Sequence, residues 1–288
     1  MGYVLMSIAV LLLAGDFAIN KIYQQKQGTS FKAGIQFNFF LGLFTAIVFF
    51  IISGFEIHFS LYSLLISFGI CATGVLYNIL GFKILKSSGM SVYTIFLMNG
   101  GMIVPYVWGL FFFDESFSML RTIGLVIMIS AIILANCDKD KTDIKVLFIC
   151  VTVFFLNGFV SVFSKMHQIE NVFETVSATE LVFYTGILKS ILCGIILLLY
   201  SYKYNEKPIE LPLKIVPIIV TSAVIGGVSY LLQLFGAMDL PATVLYPFLT
   251  GGSIIVSTLI GRLLFKEKIT IKKALGVAMC FIGTCMFL

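Results

Sequence analysis

The chain has 288 residues, is 59% hydrophobic and is charged at only 11% of its positions. With a mean hydropathy of +1.06, against about 25% charged residues in a soluble domain, a water-soluble globule is excluded. The formal net charge of +5 does not point to nucleic acid, because the basic residues sit in the connections between apolar runs.

Ten apolar stretches fill the chain, most of about 20 residues, which at ~1.5 Å per residue cross a ~30 Å hydrocarbon core. With no water there to satisfy the backbone, helices are the economical reading of such runs. In chain order the predicted helices are Tyr3–Ile22, Ala33–Ser53, Leu61–Phe82, Met90–Phe112 and Ser118–Asn136, then Ile144–Phe163, Val176–Tyr200, Leu213–Phe235, Pro241–Leu264 and Ile269–Leu288. The first stretch lacks a basic start and a small-residue cleavage site, so it reads as a retained helix. Six scattered cysteines form no CxxC pair and read as buried free thiols.

The second five stretches echo the first five. Gly100-Gly101 in the fourth matches Gly251-Gly252 in the ninth. Glu115 follows 14 residues after Gly101, and Glu267 follows 15 after Gly252. Gly124 and Gly276 each stand nine residues past those glutamates. Gly15 and Lys21 are echoed by Gly158 and Lys165. The predicted organisation is a first repeat over 1–137, a connecting loop over 138–143 and a second repeat over 144–288. A unit of five helices crosses an odd number of times, so its tandem copy enters from the opposite face. The predicted fold is all-α integral membrane, with ten transmembrane helices as two inverted five-helix repeats, an architecture that places a substrate site near the midplane.

Sixteen of the 19 Lys and Arg residues fall in the 1–2, 3–4, 5–6, 7–8 and 9–10 connections. The opposite connections hold Arg121 and Lys165, and Lys189 falls within the seventh stretch. The positive-inside rule then puts both termini outside the cytoplasm.

The two half-ends resemble the EamA-like, ten-helix branch of the drug/metabolite transporter superfamily. The matching residues are Glu115 followed by Ser118-Met-Leu-Arg-Thr-Ile-Gly124, and Glu267 followed by Thr270-Ile-Lys-Lys-Ala-Leu-Gly276. Leu240-Pro-Ala-Thr-Val-Leu-Tyr-Pro247 is similar to the family's opening of its ninth helix. Two departures stand out: Phe96 takes the place that Pro247 has in the second half, and Trp108 is the only tryptophan. The resemblance implies transport of small metabolites or drugs across the cell membrane and names no substrate.

Charges inside a bilayer cost roughly 2.5–3.5 kcal/mol at a helix centre and need a reason. Asp16 reads as a ligand for a substrate ammonium, as a proton carrier, or as a structural partner. Asn20, four residues on, shares its face. Asn157 and Ser161 give the sixth helix a corresponding polar face. Lys189 reads either as a site for a carboxylate or phosphate or as a lock between helices. Glu180 lies near an interface, where hydration lowers its cost. Tyr246 and Thr250 belong to a polar stripe on the ninth helix. Tyr77, Asn78, Tyr93, Asn99, Tyr230 and Gln233 complete the predicted cavity wall, whose tyrosines suit cation–π contact with an ammonium. Glu115 and Glu267 are expected to cap the helices that follow them.

The reading is a secondary transporter in the cytoplasmic membrane for a small amine-bearing metabolite, amino-acid-like or choline-like. A flippase or exporter for lipid-linked or drug-like cargo is the alternative, followed by an intramembrane enzyme. An enzyme would need clustered acids or histidines, and the sequence offers none. The expected partners are the substrate and the bilayer, with no cofactor, metal or nucleic acid. Proton or ion coupling and a monomer or homodimer both stay open.

Overall fold

The computed structural model describes residues 2–28, 30–87, 90–136, 144–205, 211–266 and 270–288, and among these the secondary structure is helical throughout, with no strand. The helices are α1 (Gly2–Gln27), α2 (Phe31–Ile52), α3 (Leu61–Ser87), α4 (Met90–Phe112), α5 (Met119–Asn136), α6 (Ile144–Ile169), α7 (Ala178–Tyr204), α8 (Val216–Asp239), α9 (Ala242–Leu264) and α10 (Ile271–Cys285). The central 138–143 connection and Glu267 lie outside the described residues.

Among the described residues, eight helices are long and apolar enough to cross a membrane, while α5 and α10 offer the shorter apolar runs Met119–Leu134 and Ala274–Cys285. The sequence led us to expect the tenth helix to reach Leu288. It ends at Cys285 because the chain turns inward: Phe287 is buried and its carbonyl accepts from the Tyr3 hydroxyl at 3.1 Å. Conversely, α1 and α6 run more than a turn beyond their apolar stretches. For α6 this extension moves Lys165 from an expected loop into a helix.

Local signals set several starts. The Ser30 hydroxyl accepts from the Ala33 amide at 3.2 Å and opens α2. Ser177 and Glu180 form a reciprocal capping box that opens α7. Asn205 closes α7 in the left-handed conformation that Asn tolerates.

The main packing pairs are related by exchange of each helix with the one five places on, while the contacts of α8 on α6 and α7 have no counterpart of similar extent. Helix α1 packs on α8 and α9, as α6 packs on α3 and α4. Helix α2 touches α8, as α7 touches α3, while α2–α7, α4–α9 and α5–α10 are pairs that the exchange maps onto themselves. Two of these pairs meet at glycines. A Cβ on Gly42 would stand 2.7 Å from the Gly186 carbonyl oxygen, and one on Gly186 would stand 2.9 Å from that of Gly42. Gly124 and Gly283 face each other's carbonyls in the same way, at 2.9 Å each. Such backbone approach is how membrane helices gain dispersion contact without a hydrophobic drive. Exposed side chains such as Phe111, Phe148, Leu199 and Leu263 make an apolar outer surface suited to lipid.

Candidate functional site

Asp16 sits mid-way along α1, against α8. One carboxylate oxygen accepts from the Ser222 hydroxyl, and the other accepts from the Asn20 amide at 3.0 Å. Space for this comes from Gly226, where a Cβ would lie 3.2 Å from the Asp16 carboxyl carbon. Asn20 is thus a holder of Asp16 and does not itself line the cavities.

Two adjoining cavities of ≈ 230 Å³ and ≈ 410 Å³ open here. Asp16, Tyr77, Val160, Lys189, Gly226 and Tyr230 line both, so they form one chamber. Its walls come from both halves, chiefly α1, α3, α6 and α8, with α2 and α7 on one flank and α4 and α9 on the other. Asp16 and Lys189 face this chamber together without forming an ion pair within 4 Å. The Lys189 ammonium makes no hydrogen bond among the described residues, whereas Asp16 has two side-chain donors.

The structure brings most of the sequence-predicted residues here. Asn78 lines the smaller cavity. Asn157, Ser161, Gln233, Tyr246 and Thr250 line the larger one. Several are already engaged. Asn157 donates to the Leu97 carbonyl at 2.7 Å and Gln233 to the Ser229 hydroxyl at 3.2 Å. Tyr246 donates to the Ser161 carbonyl at 2.5 Å, and the Tyr230 hydroxyl bonds that of Ser164 at 2.8 Å. Asn99 instead is buried in α4, donating to the Ile95 carbonyl at 2.9 Å, and lines neither cavity. The Tyr93 side chain lies outside the described residues. Sequence reasoning missed Ser222, Ser164, Asn38 and Thr185, which also line the chamber. Asn38, within an apolar span, was a usable signal. The hydroxyls were not, because Ser and Thr occur throughout membrane helices as packing residues.

At one end of the chamber, at the helix ends opposite the basic connections, a second group of charges holds the α8–α9 joint. Lys165 is 5% exposed, and its ammonium donates to the Ala237 and Leu240 carbonyls at 2.5 and 2.7 Å. These are terminal carbonyls of α8 with no helical partner. The Glu115 carboxylate accepts from the Ala242 and Thr243 amides at 2.5 and 2.8 Å, the first amides of α9. The cap expected on the following helix therefore falls on α9, in the other half. Lys165 and Glu115 each match the sign of the helix dipole they meet. Glu180 is likewise engaged within the protein. It accepts from Ser177 and from the His58 amide at 2.7 Å, and it meets the His58 ring at 2.8 Å, tying the α2–α3 link to α7.

The model of the EamA-like transporter family matches residues 144–288, half of the chain, beginning where α6 begins. The chain belongs to the EamA-like transporter family. This EamA-like protein also shares its fold with a solved structure described only as "Crystal structure of protein". That match has a TM-score of 0.75 at 13% identity, over 99% of this chain and 95% of the other. At that identity the likeness concerns the fold alone. No curated protein matches the chain. Among its described residues the EamA-like chain has no group of three or more His, Cys, Asp or Glu side chains placed to hold a metal ion. The described cysteines are free: Cys71, Cys150, Cys193 and Cys280 are buried and Cys285 is exposed. Cys137 lies outside the described residues.

Replacing Lys165 with Met keeps an unbranched side chain but strands two carbonyls in an apolar setting. The expected loss is about 1–3 kcal/mol. Glu115→Ala removes an N-cap and should cost about 1–2 kcal/mol. Thermal unfolding of the purified protein in detergent reads both as a lowered Tm. Unchanged melting in either variant would show that the joint does not depend on that side chain.

Proposed function

We propose that the chain is a secondary transporter that moves a small, polar, amine-bearing metabolite across the cytoplasmic membrane by alternating access. The observation that carries this reading is the pair of opposite charges, Asp16 and Lys189, facing one chamber walled by both halves. A carboxylate and an ammonium at membrane depth are costly, and an aqueous substrate path is the usual reason to keep them. The tyrosines Tyr77, Tyr230 and Tyr246 add polar tips and π faces around the same space.

In this reading the chain is two inverted repeats, 1–137 and 144–288, joined by 138–143, and the chamber lies on their shared axis. Rocking one half on the other would expose the chamber to each side in turn. The glycine crossings of α2 on α7 and α5 on α10 supply contacts that tolerate small sliding. The protein carries solutes and performs no chemistry on them. Asp16 is the proposed seat of ammonium recognition or of proton coupling, with the transported species itself as the other partner. The basic connections face the cytoplasm and both termini face outward.

Two experiments test this. Purified protein screened by thermal unfolding against amino acids, amines, nucleosides and sugars should show a raised Tm with one class, since ligand bound to the native state stabilises it. Asp16→Asn should abolish or weaken that shift. Absence of any shift would move the cargo toward lipid-linked molecules. For orientation, an impermeant thiol reagent on intact cells should label a cysteine placed at Glu56 and leave one placed at Lys203 unlabelled, in a chain otherwise free of cysteine. The reverse pattern would invert the assigned topology.

A further inference from the structure

The two charges of the chamber are not equivalent. Asp16 has a donor on each carboxylate oxygen, from Asn20 and Ser222. Lys189 lines both cavities, and its ammonium has no hydrogen-bond or ion-pair partner among the described residues. An ammonium has three donors to satisfy. Asp16 lines the same two cavities and acts on Lys189 through space rather than by contact. Leaving one member of a charge pair short of its partner is costly in a low-dielectric interior. The gap between them is therefore the place where an incoming molecule gains most.

We infer that Lys189 is the anion anchor of the chamber, and that the substrate is a small zwitterion whose carboxylate docks on Lys189 while its ammonium docks on Asp16. This rests on the transporter reading above and narrows it: a quaternary or primary amine without a carboxylate leaves Lys189 unpaired and is the wrong class. The two free lone pairs of the Asp16 carboxylate are enough to receive an ammonium beside Asn20 and Ser222. Leu13, Phe17, Leu97, Met98 and Leu249 line the larger cavity next to the charges, so the rest of the zwitterion sits against an apolar wall. Both ends of the ligand then bind with charge assistance, which fixes its orientation across the interface of the halves.

The test uses the full chain, purified in detergent, with leucine, phenylalanine and serine as probes. Each is compared with its decarboxylated amine and its deaminated acid by thermal unfolding and by calorimetric titration. At least one zwitterion should raise the Tm, and its amine and its acid should each bind roughly tenfold or more weakly. Lys189→Gln should abolish the shift while leaving the unliganded Tm in place, and Lys189→Arg should restore part of it. An amine that binds as well as its zwitterion overturns the role of Lys189. An acid that binds as well overturns that of Asp16. A shift with a sugar or nucleoside alone leaves transport standing and overturns the zwitterion. No shift with any class of solute counts against both readings. Should Lys189→Gln fail to fold, the comparison of zwitterion, amine and acid on the native chain decides the matter by itself.

Discussion

A polar group that enters the hydrocarbon interior must find its partner within the protein, and this demand shapes each part of the bundle. Helices answer it for the backbone along their length. At their ends the demand returns, because the last carbonyls and first amides have no helical partner. The α8–α9 joint lies at such an end. Lys165 takes the carbonyls of α8, and Glu115 takes the amides of α9. Since Glu115 belongs to the first half and α9 to the second, the same bonds also fasten the halves together at one end of the chamber.

The demand applies differently in the middle of the bundle. Ser222 and Asn20 support Asp16, and Ser164 supports Tyr230. These bonds fix the walls while leaving space between them. Among the described residues the Lys189 ammonium has no such support, so the chamber is complete on one side and unfinished on the other. A cavity with a satisfied acid and an unsatisfied base is suited to hold a solute and release it, because the protein alone does not complete the pairing.

Much of the fold was legible because the bilayer imposes a simple length rule. The starts of α3, α4 and α6 coincide with the predicted ones, and the ends of α4, α5 and α9 do as well. Helix ends with polar residues were harder. The stretch from Ser164 to Ile169 reads as a loop by hydropathy, yet α6 continues because Lys165 finds partners inside the protein. Ten of the thirteen predicted site residues line the chamber, since polar side chains in a membrane bundle turn away from lipid and toward the interior. Asn99 shows the limit of that logic. Its amide turns back to the Ile95 carbonyl one turn earlier, which a sequence cannot distinguish from pointing into a cavity. The destination of Glu115 was likewise hidden, because a cap on a distant helix leaves no local spacing to read.

The central claim is that the charged chamber is a passage open in turn to both sides. Thr250 lines it with no side-chain hydrogen bond among the described residues, so a single cysteine at that position, in a chain otherwise free of cysteine, reports access directly. In sealed membrane vesicles of each orientation, an impermeant thiol reagent should label it from either face, and a bound solute should slow the labelling. Labelling from neither face would identify the chamber as a closed structural void and contradict the account.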